Sequence, residues 1–201
     1  MENIDPHTAA PGGAARRTTT PSPRHGKGLS IRDLLLIGIL LAAGAVLKFF
    51  AGTVINFGMK PNFIIAMYCL AILIVRPRLA EAAIIGLLSG AVCQFFPGQP
   101  FINFASELAG AAAMCLLARI PLEKLKIPVK PAITTFLSTL VSGFSFIGVM
   151  YLMYYSGANI TPAPLAIFLA IILGTATINA VIVQILYLPL AHFLKPAHDN
   201  I

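Results

Sequence analysis

Two charged side chains stand where charge is costly in this chain, and both suit the recognition of a small ion. Lys60 lies in the stretch Phe57-Gly58-Met59-Lys60-Pro61-Asn62-Phe63, between two apolar runs. A residue before proline is pushed to extended geometry, and proline favours the first helical position, so the spacing predicts a turn at Lys60 and a helix entered at Pro61. Lysine beside an uncapped helix start, whose free N–H groups carry about half a positive charge, makes a receptor for a carboxylate or phosphate. The competing reading is a polar turn with an interfacial lysine. Glu107 is the second. Counted from Pro100 it lies seven residues into an apolar helix, about 10 Å deep at about 1.5 Å per residue. A carboxylate near a bilayer centre costs at least about 2.5 to 3.5 kcal/mol.

Other polar residues fall into register with these two. Asn103, Ser106, Glu107 and Gly110 are spaced i, i+3, i+4 and i+7 and form one inward stripe. Tyr68 reaches a similar depth counted from Pro61, and Gln99 and Asn62 sit at the mouths of their helices. Thr175 and Asn179 share a face nearer the midplane, with Gln184 below. Lys60, Asn62, Tyr68, Gln99, Asn103, Ser106, Glu107 and Asn179 are therefore the candidate solute-binding residues. For Glu107 a structural alternative is a protonated acid or a pairing with Lys48. For Asn179 and Gln184 it is interhelical hydrogen bonding worth about a kcal/mol or less. Glu81 reads as a solvated neighbour of Arg76 and Arg78.

The elements that must position these groups are apolar helices. With 58% hydrophobic and 10% charged residues and a mean hydropathy of +0.86, the 201-residue chain reads as an all-α integral membrane bundle. Six segments are expected, over 34–51, 62–75, 79–96, 101–117, 132–155 and 165–190, the second of them short for a span. Residues 1–31 read as a disordered basic tail, 32–195 as the six-helix transmembrane domain and 196–201 as a short tail. Twelve of the fourteen Lys and Arg fall in the N-terminal tail, the turns after helices two and four, and the C-terminus. Both termini are therefore expected on the cytoplasmic side of the plasma membrane. Helices two, four and six then begin outside, each at a proline (Pro61, Pro100, Pro162-Ala163-Pro164), and three positive helix ends converge on an outer vestibule. Small residues mark close helix faces: Gly38, Ala42 and Ala45 on helix one, and Ala82, Gly86 and Gly90 on helix three. Each can pack within the bundle or against another membrane protein.

Several functions are disfavoured. The net charge of +7 is spread over helix ends without a nucleic-acid motif, and a membrane surface explains it. Cys69, Cys93 and Cys115 lie in apolar runs without a CxxC, so neither a disulfide nor a metal site is expected, and no cofactor is implied. The histidines are terminal, which leaves Glu107 without a partner for intramembrane catalysis. There is no GxxxxGK[ST] loop, so energy must come from partner subunits or an ion gradient. A purely structural subunit would not need the polar stripe.

The strings GMKPNF at 58–63 and FPGQ at 96–99 with Asn103 following, the small-residue first helix and the six-helix length make residues 32–195 resemble the tryptophan transporter (TrpP-like) group. That group is similar in layout to the substrate-binding S components of energy-coupling factor transporters. The resemblance implies a protein that captures an amino acid or vitamin-like solute from outside. It also implies docking through the small face of helix one (Gly38, Ala42, Ala45) on a membrane subunit driven by two ATPases; a stand-alone proton-coupled porter is the alternative. Lys60, Pro61, Gln99 and Asn103 match the shared motifs, whereas Ser106-Glu107 stands where the group carries an Asp-Lys pair. A zwitterionic amino acid would set its carboxylate on Lys60 and the helix starts and its ammonium on Glu107. Phe57, Phe63, Phe101 and Phe104 would enclose its side chain.

Overall fold

A computed structural model describes residues 28–54, 62–99, 101–121, 129–160, 162 and 164–194. It contains six helices: α1 (Ile31–Val54), α2 (Ile64–Val75), α3 (Leu79–Cys93), α4 (Ile102–Leu117), α5 (Lys130–Tyr155) and α6 (Leu165–Leu194). Residues 1–27 and 195–201, which include most of the expected tails, lie outside the described residues, as do Phe57, Lys60, Pro61 and Pro100.

The bundle is organised around α2. Its twelve residues carry only Tyr68 and Cys69 as polar groups, and Ile64 through Leu73 are all buried. A helix apolar on every side has to be enclosed, and α2 touches each of the other five. The outer helices present stripes to it. On α1 the buried positions are Ile37, Leu40, Leu41, Gly44 and Lys48, spaced i, i+3, i+4, i+7 and i+11 as one helical face requires. A Cβ on Gly44 would lie 2.9 Å from the Ile64 backbone. The small face of α3 packs inside the bundle. A Cβ on Gly86 would meet the Glu107 carbonyl oxygen at 2.6 Å, and one on Gly90 the Phe104 Cα at 2.8 Å. The small face of α1 looks outward instead, with Gly38 and Ala42 exposed and Ala45 half-buried.

Local chemistry fixes the ends. Ser30 and Asp33 form a capping box at α1: the Ser30 backbone N–H and hydroxyl donate to Asp33 Oδ2 at 3.0 and 2.7 Å, and the Asp33 N–H donates to Ser30 Oγ at 3.2 Å. Arg32 donates to the Leu194 carbonyl at 3.2 Å, which ties the start of α1 to the end of α6 and puts both on one end of the bundle. Glu81 is more than a solvated neighbour, because its carboxylate accepts the Arg78 N–H at 2.8 Å at the start of α3. Gln184 Oε1 accepts the Ala132 N–H at 3.2 Å, satisfying one of the orphan donors in the first turn of α5.

The helix starts differ from the expectation of proline at the first helical position. Among the described starts, α2 begins at Ile64, three residues past Pro61, and α4 at Ile102, two past Pro100. The start of α2 is also not bare, since Asn62 Oδ1 accepts the Ile64 N–H at 3.3 Å in an Asx-type turn that closes the helix mouth. At α4 the preceding residue, Phe101, is left-handed at φ +66, and Gln94 Oε1 holds its N–H at 3.2 Å. The proline that does sit in a first turn is Pro131 of α5.

Three helices, residues Ile31–Phe50 of α1, α5 and α6, are long and apolar enough to cross a membrane. With 12, 15 and 16 residues, α2, α3 and α4 reach only about 18 to 24 Å, against a hydrocarbon core of about 30 Å. The shortfall lies on one side. Ser138 bonds the Gly110 carbonyl and Ser142 faces Glu107, so α4 and α5 run antiparallel. From that level α5 continues thirteen residues to Tyr155, whereas α4 has five left to Ile102. The α5–α6 hairpin therefore stands about 12 Å above the mouth of α4. A second apolar cluster of Ile102, Ile147, Met150, Phe168 and Ile172 fills the angle.

Close packing of α3 on α4 gives a direct test. Gly86→Ala places its methyl against backbone that cannot retreat and is expected to cost about 1 to 3 kcal/mol. Gly38→Ala, which meets nothing within 4 Å, should stay within about 0.5 kcal/mol. Thermal unfolding of the purified variants in detergent measures the difference.

Candidate functional site

The structure brings Asn62, Tyr68, Glu107 and Asn179 into one buried centre and adds Lys48 and Cys93 to it. Glu107 is 1% exposed, at the level where α2 and α4 begin. Asn62 is the hub. Its Nδ2 donates to Glu107 Oε1 at 2.5 Å and lies 3.6 Å from Cys93 Sγ, and its backbone carbonyl accepts Asn179 Nδ2 at 3.2 Å. Ser142 Oγ approaches Glu107 Oε2 at 3.4 Å from α5. The Tyr68 hydroxyl lies beside Glu107, Ser138 and Ser142 yet makes no well-formed hydrogen bond with a described residue. Gly110 makes room for it, since any Cβ there would collide with the phenolic oxygen.

Lys48 enters from α1. It is 7% exposed, its Nζ donates to Cys93 Sγ at 3.0 Å, and it stands 5.4 Å from the centre of the Phe96 ring, within cation–π range. Lys48 and Glu107 are the charged side chains that are buried among the described residues. They are not in contact; Cys93 and Asn62 stand between them. Cys93 thus behaves as a weakly polar bridge rather than only a small hydrophobe, and Cys69 and Cys115 likewise approach Ser138 Oγ and the Pro77 carbonyl at 3.4 and 3.5 Å.

The other candidates are placed differently. Ser106 is buried, but its hydroxyl bonds back to the Asn103 carbonyl on its own helix at 3.3 Å. Asn103 and Gln99 are half-buried and take no part in the hydrogen bonds that hold Glu107. Lys60 lies outside the described residues. Of the proposed aromatic enclosure, Phe63 is buried in the core, whereas Phe101 and Phe104 stack at 6.4 Å beside the α4 mouth. Thr175 and Asn179 face inward together without bonding each other; the Thr175 hydroxyl and Asn179 Oδ1 both lack partners among the described residues. Among the described residues no three His, Cys, Asp or Glu side chains come together as a metal site would require.

The family model for the tryptophan transporter TrpP matches residues 30–195. The chain belongs to that family. A probable tryptophan transport protein of Clostridium acetobutylicum is 26% identical over 162 residues, which cover 79% of this chain and 91% of the relative. No solved structure matches. This member of the tryptophan transporter family is accordingly a multi-pass plasma-membrane transport protein and not an enzyme.

Within this transporter the residue that the polar-stripe reading left outside the site is Lys48. Its signal was present in the periodicity, because Ile37, Leu41, Gly44 and Lys48 lie on one helical face. The hydroxyl row of α5, with Thr134, Thr135, Ser138, Thr139 and Ser142 all buried, is the other feature to emerge only with the structure. Asn62→Ala is expected to destabilise the protein by about 1 to 3 kcal/mol, since it strips a buried carboxylate of its amide donor and α2 of its cap. Asn103→Ala should stay within about 0.5 kcal/mol. Detergent melting curves of the two variants check the contrast.

Proposed function

We propose that this protein takes up tryptophan, binding it as a zwitterion between Lys48 and Glu107. The observation that carries the reading is the pair of buried, oppositely charged side chains held apart by Cys93 and Asn62. An amino acid inserted there gives its carboxylate to the Lys48 ammonium and its ammonium to Glu107, replacing a thiol contact and an amide contact with charge-assisted ones. Phe96 and the Phe101–Phe104 stack offer aromatic faces for an indole. An indole N–H is a donor only, and Asn179 Oδ1 and the Tyr68 hydroxyl are acceptors with no partner among the described residues. Family membership and the name of the clostridial relative support the same solute. Gln99 and Asn103, half-buried beside the α4 mouth, belong to the entry path in this reading.

For energy coupling we place the chain as a substrate-binding component that docks on a membrane subunit with two ATPases. Gly38 and Ala42, exposed on α1, offer a face for close helix contact. Copurification of such a subunit supports this role. Uptake by the chain alone in vesicles, driven by a proton gradient, would instead support a stand-alone proton-coupled porter.

Ligand analogues test the site. Tryptamine lacks the carboxylate and indole-3-propionate lacks the ammonium. Lys48→Met is expected to weaken tryptophan binding at least about tenfold and to leave tryptamine within about twofold. Glu107→Gln should do the converse with indole-3-propionate. Isothermal titration of the purified variants measures both; tryptophan affinity unchanged in both variants would refute the arrangement.

A further inference from the structure

One side-chain amide in the buried centre cannot turn over. Asn179 of α6 is fully buried, and its Nδ2 donates to the Asn62 carbonyl at 3.2 Å and to Thr139 Oγ1 at 3.4 Å. Neither partner has a proton to offer in return. The Asn62 carbonyl has none, and the Thr139 hydroxyl gives its own to the Thr135 carbonyl at 2.9 Å. A carboxamide carries two N–H donors, so both are spent, and a flip would set Oδ1 against the Asn62 carbonyl oxygen. Oδ1 is thereby aimed in one direction, where it has no partner among the described residues.

The Tyr68 hydroxyl is not held in this way. It lies beside Glu107, Ser138 and Ser142, and a hydroxyl rotates and can donate as well as accept. A carboxylate beside it is an acceptor for its proton, so a ligand N–H is not needed to satisfy it. Asn179 Oδ1 can only accept.

Depth separates the roles further. Ser142 stands level with Glu107 and Thr139 level with Asn179. Thr139 is three residues further from the end of α5 at Tyr155, or about 4.5 Å of helical rise. An amino acid whose ammonium is held at Glu107 therefore turns its ring edge, not its backbone, to Oδ1. A buried acceptor selects by what is left unpaired: a ring without a donor strands it, and a ring with one does not. We propose that Asn179 is the specificity-determining residue of this transporter, restricting it to aromatic amino acids that carry a hydrogen-bond donor on the ring edge. Phenylalanine carries none and is excluded. This assignment rests on the reading that the solute's ammonium is held at Glu107.

The test compares tryptophan with β-(3-benzothienyl)alanine, which has sulfur in place of the indole N–H and the same carboxylate and ammonium. Isothermal titration of the purified full-length protein should show tryptophan bound at least about tenfold more tightly. Asn179→Leu should bring the two ligands within about twofold of each other, mainly by weakening tryptophan. If that variant does not fold, Asn179→Val carries the same comparison. Lys48→Met and Glu107→Gln should weaken both ligands by the same factor, because the charged groups are common to both. Unchanged affinities in these charge variants would overturn the zwitterion arrangement alone. No preference in the wild-type protein, a preference that survives Asn179→Leu, or one lost in Tyr68→Phe in its place would each overturn the assignment to Asn179.

Discussion

The contact on which most of this structure depends is the one between the Asn62 amide and Glu107. A carboxylate enclosed by apolar helices needs donors from several directions, and Asn62 supplies the shortest. The same residue uses its side-chain oxygen to close α2 and its backbone carbonyl to receive Asn179. One asparagine therefore links the start of the central helix to α4 and α6, and through Cys93 to α3. Because α2 touches every other helix, the position of its first turn sets the level at which the two buried charges lie.

That level is possible because the helices are unequal. Only α2 is enclosed on all sides, α3 and α4 pack beside it as a short pair, and the mouths of α2 and α4 open beneath a wall formed by the ends of α5 and α6 at their hairpin. Glu107 is only five residues from the start of α4 yet lies beside the midpoint of α5. The carboxylate is buried there only about 7 Å from the start of its own helix. Close glycine contacts between α3 and α4 keep that short pair rigid, and the buried hydroxyls of α5 either bond back to their own carbonyls, as Thr134 and Thr139 do, or turn toward the centre.

Much of this was legible in the apolar pattern: six helices, the inward stripe of α4 and a small face on α3 that packs inside the bundle. The proline rule failed for a physical reason. A proline also serves in the turn before a helix, and at α2 and α4 a side-chain amide, from Asn62 and Gln94, was available to hold the first N–H groups a few residues later. Counting charges leaves Lys48 outside the groups that set orientation and says nothing of where it faces, whereas helical phase puts it on the face of Ile37, Leu41 and Gly44. Counting and phase answer different questions, and only phase distinguishes a snorkelling lysine from a buried one.

The centre also keeps polar atoms that a bundle built for stability alone would remove. The Tyr68 hydroxyl, the Thr135 and Thr175 hydroxyls and Asn179 Oδ1 are buried without partners among the described residues, and each such group costs about 1 to 3 kcal/mol. Replacing them by apolar residues of equal shape would be neutral or stabilising on the same grounds. Their retention beside two separated charges is understandable if the folded chain alone is not the species in which they are satisfied. A solute bringing a carboxylate, an ammonium and a ring N–H can satisfy the charges and one acceptor together. The energy withheld from the empty bundle then reappears as affinity for a ligand that carries all three groups.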